Sequence, residues 1–245
     1  MVERNTIDPS PYEIMTRALC DNFPEQVDLA FLHAETKDNE RSCLQAGAEF
    51  YLNGFTPKLG ILCADASIFD EMIEKYEKGN PELAGRMKPH LTPKDDGSMV
   101  GYLGFKHWKE SLVASGVNRE DIVLIEPSYK VWLSTDGEAR GLVEYCKQQR
   151  IERVCITAPP FQQTRAFISD ISAIIQEGAS GLRVYSRPGH HLDWNEKVTH
   201  SQGFEEGTRR DFIEGECKKI VKYQKSGSPP LSSFKEVLGY LNRRG

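Results

Sequence analysis

Acids, imidazoles and arginines collect in this 245-residue chain just beyond short apolar runs. The run that ends in His33 is followed by Ala34-Glu35-Thr36-Lys37-Asp38-Asn39-Glu40-Arg41, and a second leads into Asp65. A third leads into Glu126-Pro127-Ser128, and a fourth ends in Thr157 and continues as Ala158-Pro159-Pro160-Phe161-Gln162-Gln163-Thr164-Arg165. Glu35 is the acid placed to receive a ribose or sugar hydroxyl, or to act as a general base if burial raises its pKa; a solvated loop carboxylate is the plainer reading. Arg165 offers a planar fork for a phosphate or carboxylate one turn into a helix, and competes with a surface arginine paired to Asp170 or Glu177. Arg41, in the first turn after a strand, faces the same pair of readings.

Other residues have structural readings that weigh against chemistry. Thr135-Asp136-Gly137-Glu138 has capping-box spacing, so capping accounts for Thr135 and Glu138 while leaving Glu138, with Glu35, as a candidate general base. His33, at the end of an apolar strand, reads as a hydrogen-bonded core histidine before it reads as a catalyst. His190-His191-Leu192-Asp193 holds good metal ligands, but adjacent residues seldom point at one ion and no third histidine follows at a ligand spacing, so no metal is expected. Trp108 and Phe105 fit a helix core better than a cofactor box. The sequences G-x-G-x-x-G, G-x-x-x-x-G-K-[ST] and G-x-S-x-G are absent, which removes the strongest signatures for dinucleotides, nucleoside triphosphates and the α/β-hydrolase nucleophile.

The elements that must carry these residues follow from pattern. Val27–His33, Lys58–Cys63, Asp121–Ile125, Arg153–Thr157 and Leu182–Tyr185 are short, aliphatic or β-branched runs that predict buried strands. Between them lie helical patterns, with Leu44, Ala48 and Tyr51 on one face, and Phe105, Trp108 and Leu112 on another. The alternation predicts βαβ crossovers: an α/β, Rossmann-like open parallel sheet of about five strands with helices on both faces. Phe161, Phe167, Ile168, Ile171, Ile174 and Ile175 predict a sheet-packed helix ending before Gly178. The polar stretch from Lys78 to Gly101 is longer than an ordinary connection and reads as a lid, a binding loop or a disordered excursion. After Arg187-Pro188-Gly189 the rhythm stops. A C-terminal helical appendage is expected, with Ile213, Cys217, Ile220 and Val221 forming one apolar face and Ser233 to Glu236 starting a capped helix.

Taken together, these segments resemble the YdcF-like family, which includes the SanA and ElyC envelope proteins and whose domain has no assigned function. Over roughly Val27 to Tyr185 the resemblance rests on Arg41, Ala46 or Ala48, Tyr51 and Gly54; on Thr135, Glu138 and Ala139; and on Thr157, Phe161, Arg165 and Ala166. Gln162 stands at the family's usual histidine, and Ala64-Asp65 replaces its glycine pair. The resemblance implies a Rossmann-like fold and a nucleotide-like ligand, with S-adenosylmethionine a candidate cofactor. It implies no fixed reaction.

Composition bounds the rest. A net charge of -5 arises from interspersed acids and bases without a basic block, so nucleic acid is not an expected partner. The six cysteines contain no C-x-x-C pair and are expected to be reduced and buried. No leader pattern and no apolar run near the ~20 residues of a bilayer span occur, so a cytoplasmic protein without membrane insertion is expected. The expected organisation is an N-terminal helical extension over 1–26, a Rossmann-like domain over 27–188 and the appendage over 189–245. The leading expectation is a protein that binds an anionic, nucleotide-like small molecule at the C-terminal strand ends through Glu35, Arg41, Asp65, Thr135, Thr157, Phe161, Gln162 and Arg165. The alternatives are a transferase or hydrolase acting on a phosphorylated or glycosylated metabolite, and a non-catalytic docking protein that uses its C-terminal helices. On the docking reading, truncation before His190 changes the oligomeric state and leaves ligand affinity intact.

Overall fold

The computed structural model describes residues 10–64, 78, 101–128, 134–200, 205–226 and 230–244. Five strands, β1 (Leu29–Leu32), β2 (Leu59–Leu62), β3 (Ile122–Ile125), β4 (Arg153–Thr157) and β5 (Arg183–Ser186), form one all-parallel sheet in the order β3-β2-β1-β4-β5. The expected α/β, Rossmann-like sheet is therefore present, with each strand inside or within one residue of its expected run. β1 is central: Ala30 pairs with Leu59 of β2 on one side and with Cys155 of β4 on the other.

The two-residue period of a strand sorts its side chains between two cores. Leu29 and Phe31 enter one with Val154, Ile156 and Val184; Ala30 and Leu32 enter the other with Leu59, Ile61 and Cys155. The first core is covered by α1 (Ser10–Leu19), α4 (Thr135–Gln149) and α5 (Gln163–Gln176), and the second by α2 (Lys37–Leu52) and α3 (Phe105–Ala114). Gly141 of α4 lies where any Cβ would collide with the Glu126 carbonyl oxygen, which is why the helix can sit against the end of β3. Gly178 takes φ +61° two residues past α5, the left-handed conformation that ends helices.

Three expectations are corrected. The cap of α4 is Ser134, whose hydroxyl accepts from the Gly137 amide at 3.1 Å; Thr135 is the first helical residue, and neither it nor Glu138 closes a capping box. The C-terminal segment is not wholly helical. β6 (Lys197–His200) and β7 (Glu205–Thr208) pair antiparallel before α6 (Arg209–Ser226) and α7 (Phe234–Arg244). The buried face of α6 is Arg209, Phe212, Glu216 and Ile220, whereas Ile213 and Val221 are exposed. The capping box on α7 does form: the Ser233 amide donates to Glu236 Oε2 at 2.8 Å and the Glu236 amide donates to Ser233 Oγ at 3.3 Å.

All six cysteines are free; Cys43, Cys146 and Cys155 are buried as expected, whereas Cys20 is exposed and Cys63 and Cys217 are only partly covered. Among the described residues no helix is long and apolar enough to cross a membrane. Asp65 and, apart from Lys78 and Gly101, the 78–101 stretch lie outside the described residues.

Candidate functional site

The sheet order reverses at β1, whose neighbours β2 and β4 are reached by connections over opposite faces. Open parallel sheets hold ligands beyond the strand ends at such a reversal, between the loops after the two strands that meet there. His33 and Glu35 follow β1; Thr157 ends β4, and Phe161 and Gln162 lead into α5.

His33 is wholly buried, two residues beyond Phe31 on the same face of β1, and its ring joins the first turn of α4 to the middle of α5. Its Nδ1 lies 2.7 Å from Glu138 Oε2 and its Nε2 2.9 Å from Asp170 Oδ2. Burial alone would lower the imidazole pKa, but the Asp170 and Glu138 carboxylates outweigh it and push it up to about 10. His33 is thus an imidazolium clamped between two acids at neutral pH. The Ala34 amide also donates to Glu138 Oε2 at 3.2 Å, so the oxygen of Glu138 that faces the strand end is already committed.

A second buried group abuts the first. Arg165 donates through Nε to Glu216 of α6 and through Nη1 to Thr135 Oγ1 at 2.6 Å. Glu216 also receives Lys219 Nζ at 2.9 Å and faces His200 Nε2 at 3.0 Å. Burial opposes its ionisation, yet Arg165, His200 and Lys219 together hold it well below the usual carboxylate range. Burial lowers the pKa of His200, which is therefore a neutral ring. Because ionised Glu216 can only accept, the proton of His200 sits on Nε2 and Nδ1 is left as an acceptor.

Glu35 lies between these groups. It is 2% exposed, and its carboxyl pKa is raised well above the ordinary value, first by burial and then by the charge of Glu138, with Arg165 opposing. Burial thus disfavours its charged form, which is the condition under which the sequence expectation gave Glu35 acid–base work.

Seven buried side-chain atoms among the described residues lack a hydrogen-bond partner, and four of them, Glu35 Oε1, Gln162 Oε1, Asp170 Oδ1 and His200 Nδ1, belong to this neighbourhood. Buried polar atoms are nearly always paired, and leaving one unmade costs about 1–3 kcal/mol, so this concentration marks a place not built for stability alone.

The structure gathers Glu35, Thr135, Glu138, Thr157, Phe161, Gln162 and Arg165 around the end of β1 and β4, but not Arg41, which is exposed on α2. Arg165 does not pair with Asp170 or Glu177 as the competing reading expected; it is buried against Glu216 and is no free cation. The start of α2 is also committed: Thr36 Oγ1 and Asn39 Nδ2 donate to the Thr199 carbonyl, both at 2.9 Å, and Asp38 accepts from the Thr199 amide at 2.9 Å. His190 pairs with Glu49 at 2.8 Å while His191 packs against Trp194, so the two adjacent imidazoles diverge.

Glu216, His200, Lys219 and Gln163 were not anticipated, and Asp170 was considered only as a partner for Arg165. Gln163 accepts from the Ala158 amide at 2.6 Å and donates to Ser186 Oγ at 2.7 Å, fixing the loop after β4. A signal for Glu216 existed: it falls on the stripe Phe212, Glu216, Ile220, where a lone acid among apolar neighbours calls for a buried partner. Phe161 connects the loop to the appendage, its ring 5.1 Å from that of His200 and 5.7 Å from that of Phe212. Compared with family models, curated proteins and solved structures, this chain has no match.

Proposed function

We propose that this chain is a small-molecule-binding protein of the YdcF-like type, whose nucleotide-like ligand, with S-adenosylmethionine a candidate, sits between the loops after β1 and β4. The observation that carries this reading is the pair of buried, unpartnered oxygens, Glu35 Oε1 and Gln162 Oε1, one after each of the two strands that flank the reversal of sheet order. A ligand that supplies donors relieves both. An anionic portion of the ligand is best accommodated at the N-terminus of α5, where the helix dipole favours negative charge.

The test is thermal stability with S-adenosylmethionine, adenosine monophosphate, a uridine diphosphosugar and ribose 5-phosphate, since a ligand of the native state raises Tm by mass action. At least one of them is expected to raise Tm in the wild type and to fail in Glu35→Leu and Gln162→Leu, variants that should melt no lower than the wild type. No shift with any compound at millimolar concentration, or shifts undiminished in both variants, would overturn the reading.

A catalytic reading, a transferase or hydrolase acting on a phosphorylated or glycosylated metabolite, is favoured by one observation: burial raises the pKa of the Glu35 carboxyl well above its ordinary value. On that reading Glu35 donates a proton to a leaving group, and activity falls as pH rises through its raised pKa. A rate independent of pH across that range would exclude Glu35 from the role.

A further inference from the structure

We infer that the buried floor of this site takes a neutral polyhydroxylated group, the vicinal hydroxyls of a sugar ring or of a ribose, and that Glu35, Gln162 and His200 accept its hydrogen bonds. The inference rests on the proposed ligand site and specifies the chemistry bound there.

Two independent features lead to it. The first is the type of atom left over: Glu35 Oε1 is a carboxyl oxygen, Gln162 Oε1 an amide oxygen and His200 Nδ1 a ring nitrogen with its proton on the far side, so all three can accept and none has a donor. Each is linked to one pair. His200 faces Glu216, Gln162 stands one turn before Arg165 on the same chain segment, and Glu35 feels the charges of both Arg165 and Glu216. The second is charge. Arg165 is met by Glu216, Lys219 by Glu216 and Glu205, and His33 by Glu138 and Asp170, so that among the described residues of the floor each of these cations is already matched by an acid. A floor of unpaired acceptors without spare charge selects hydroxyl groups over anions.

A sugar and a nucleoside present the same hydroxyl chemistry, and calorimetry with matched probes separates them. The probes are adenosine against 2′,3′-dideoxyadenosine, methyl β-D-glucopyranoside against its 2,3-dideoxy analogue, and putrescine as a donor-bearing cation. The dideoxy member of the bound pair is expected to bind at least about tenfold more weakly, as for loss of a hydrogen bond that leaves a buried acceptor unpaired. The pair that binds identifies the source, ribose or hexose. In Gln162→Leu the ratio between the two members should shrink toward one. Equal affinity within the bound pair, or binding of putrescine alone, would overturn the hydroxyl assignment while a ligand at the strand ends stands. Failure of every probe would overturn both.

Discussion

Glu35 and His33 are two residues apart at the end of β1, and both tie stability to pH in the same direction. Glu35 carries a raised pKa, so its cost to the fold is absent below the ordinary value of 4.5 and grows as pH rises above it. Glu35→Gln should therefore melt higher than the wild type by a margin that opens above pH 4.5 and widens upward. Thermal melts across a pH series measure it, and a constant margin would mean that the carboxyl does not titrate with folding. The folded pKa of His33 is also raised, so its contribution is complete below 6.5 and lost as pH rises through about 10. His33→Gln leaves Glu138 and Asp170 without their cation and is expected to cost about 3–5 kcal/mol near neutrality. It should also flatten the alkaline decline expected of the wild type. Glu35 was recognisable from its place after an apolar strand. The partners of His33 were not, because which acids converge on a buried imidazole depends on how α4 and α5 cross the sheet, and no local pattern encodes that.

At the scale of elements, the inner strands were legible because burial on both faces demands near-continuous aliphatic runs, as in Leu29–Leu32 and Leu59–Leu62; the edge strand Arg183–Ser186 carries such a run only in part. Helix starts were less so. Ser134 and Thr135 are both good caps, and the spacing of Thr135 to Glu138 imitates a capping box; Thr135 is instead engaged by Arg165, and Glu138 by His33. Ser134→Ala should accordingly destabilise the protein by about 1 kcal/mol without affecting ligand binding, measurable by denaturant unfolding. An unchanged midpoint would return the cap to Thr135. The hairpin of β6 and β7 was hidden for a related reason: Lys197–His200 and Glu205–Thr208 are mostly polar strands, held by Asp38, by their own pairing and by Val198, which packs with Phe161 and Phe212. On α6, hydrophobicity chose Ile213 and Val221, while the buried stripe includes Arg209 and Glu216, whose burial is fixed by partners distant in sequence.

For the whole molecule, the C-terminal segment is part of the site. It delivers Glu216 to Arg165 and brings His200 against Phe161, and Tyr240 Oη ties α7 to β5 by accepting from the Val184 amide and donating to the Leu182 carbonyl, each at 2.8 Å. Truncation before His190 is therefore not expected to leave ligand affinity intact. It strands Arg165, uncovers the core beneath Ile220, Val237 and Leu241, and should abolish the cooperative thermal transition. A truncated chain that melts like the full one would show the segment to be dispensable. The claim on which the functional account turns is the location of the ligand, and amide chemical-shift mapping tests it most directly. On titration with S-adenosylmethionine or adenosine, the largest changes are expected at Ala34, Glu35, Phe161, Gln162 and His200. Changes confined to the opposite end of the sheet, around Asp28, Lys58 and Glu152, or no changes at millimolar ligand, would contradict it.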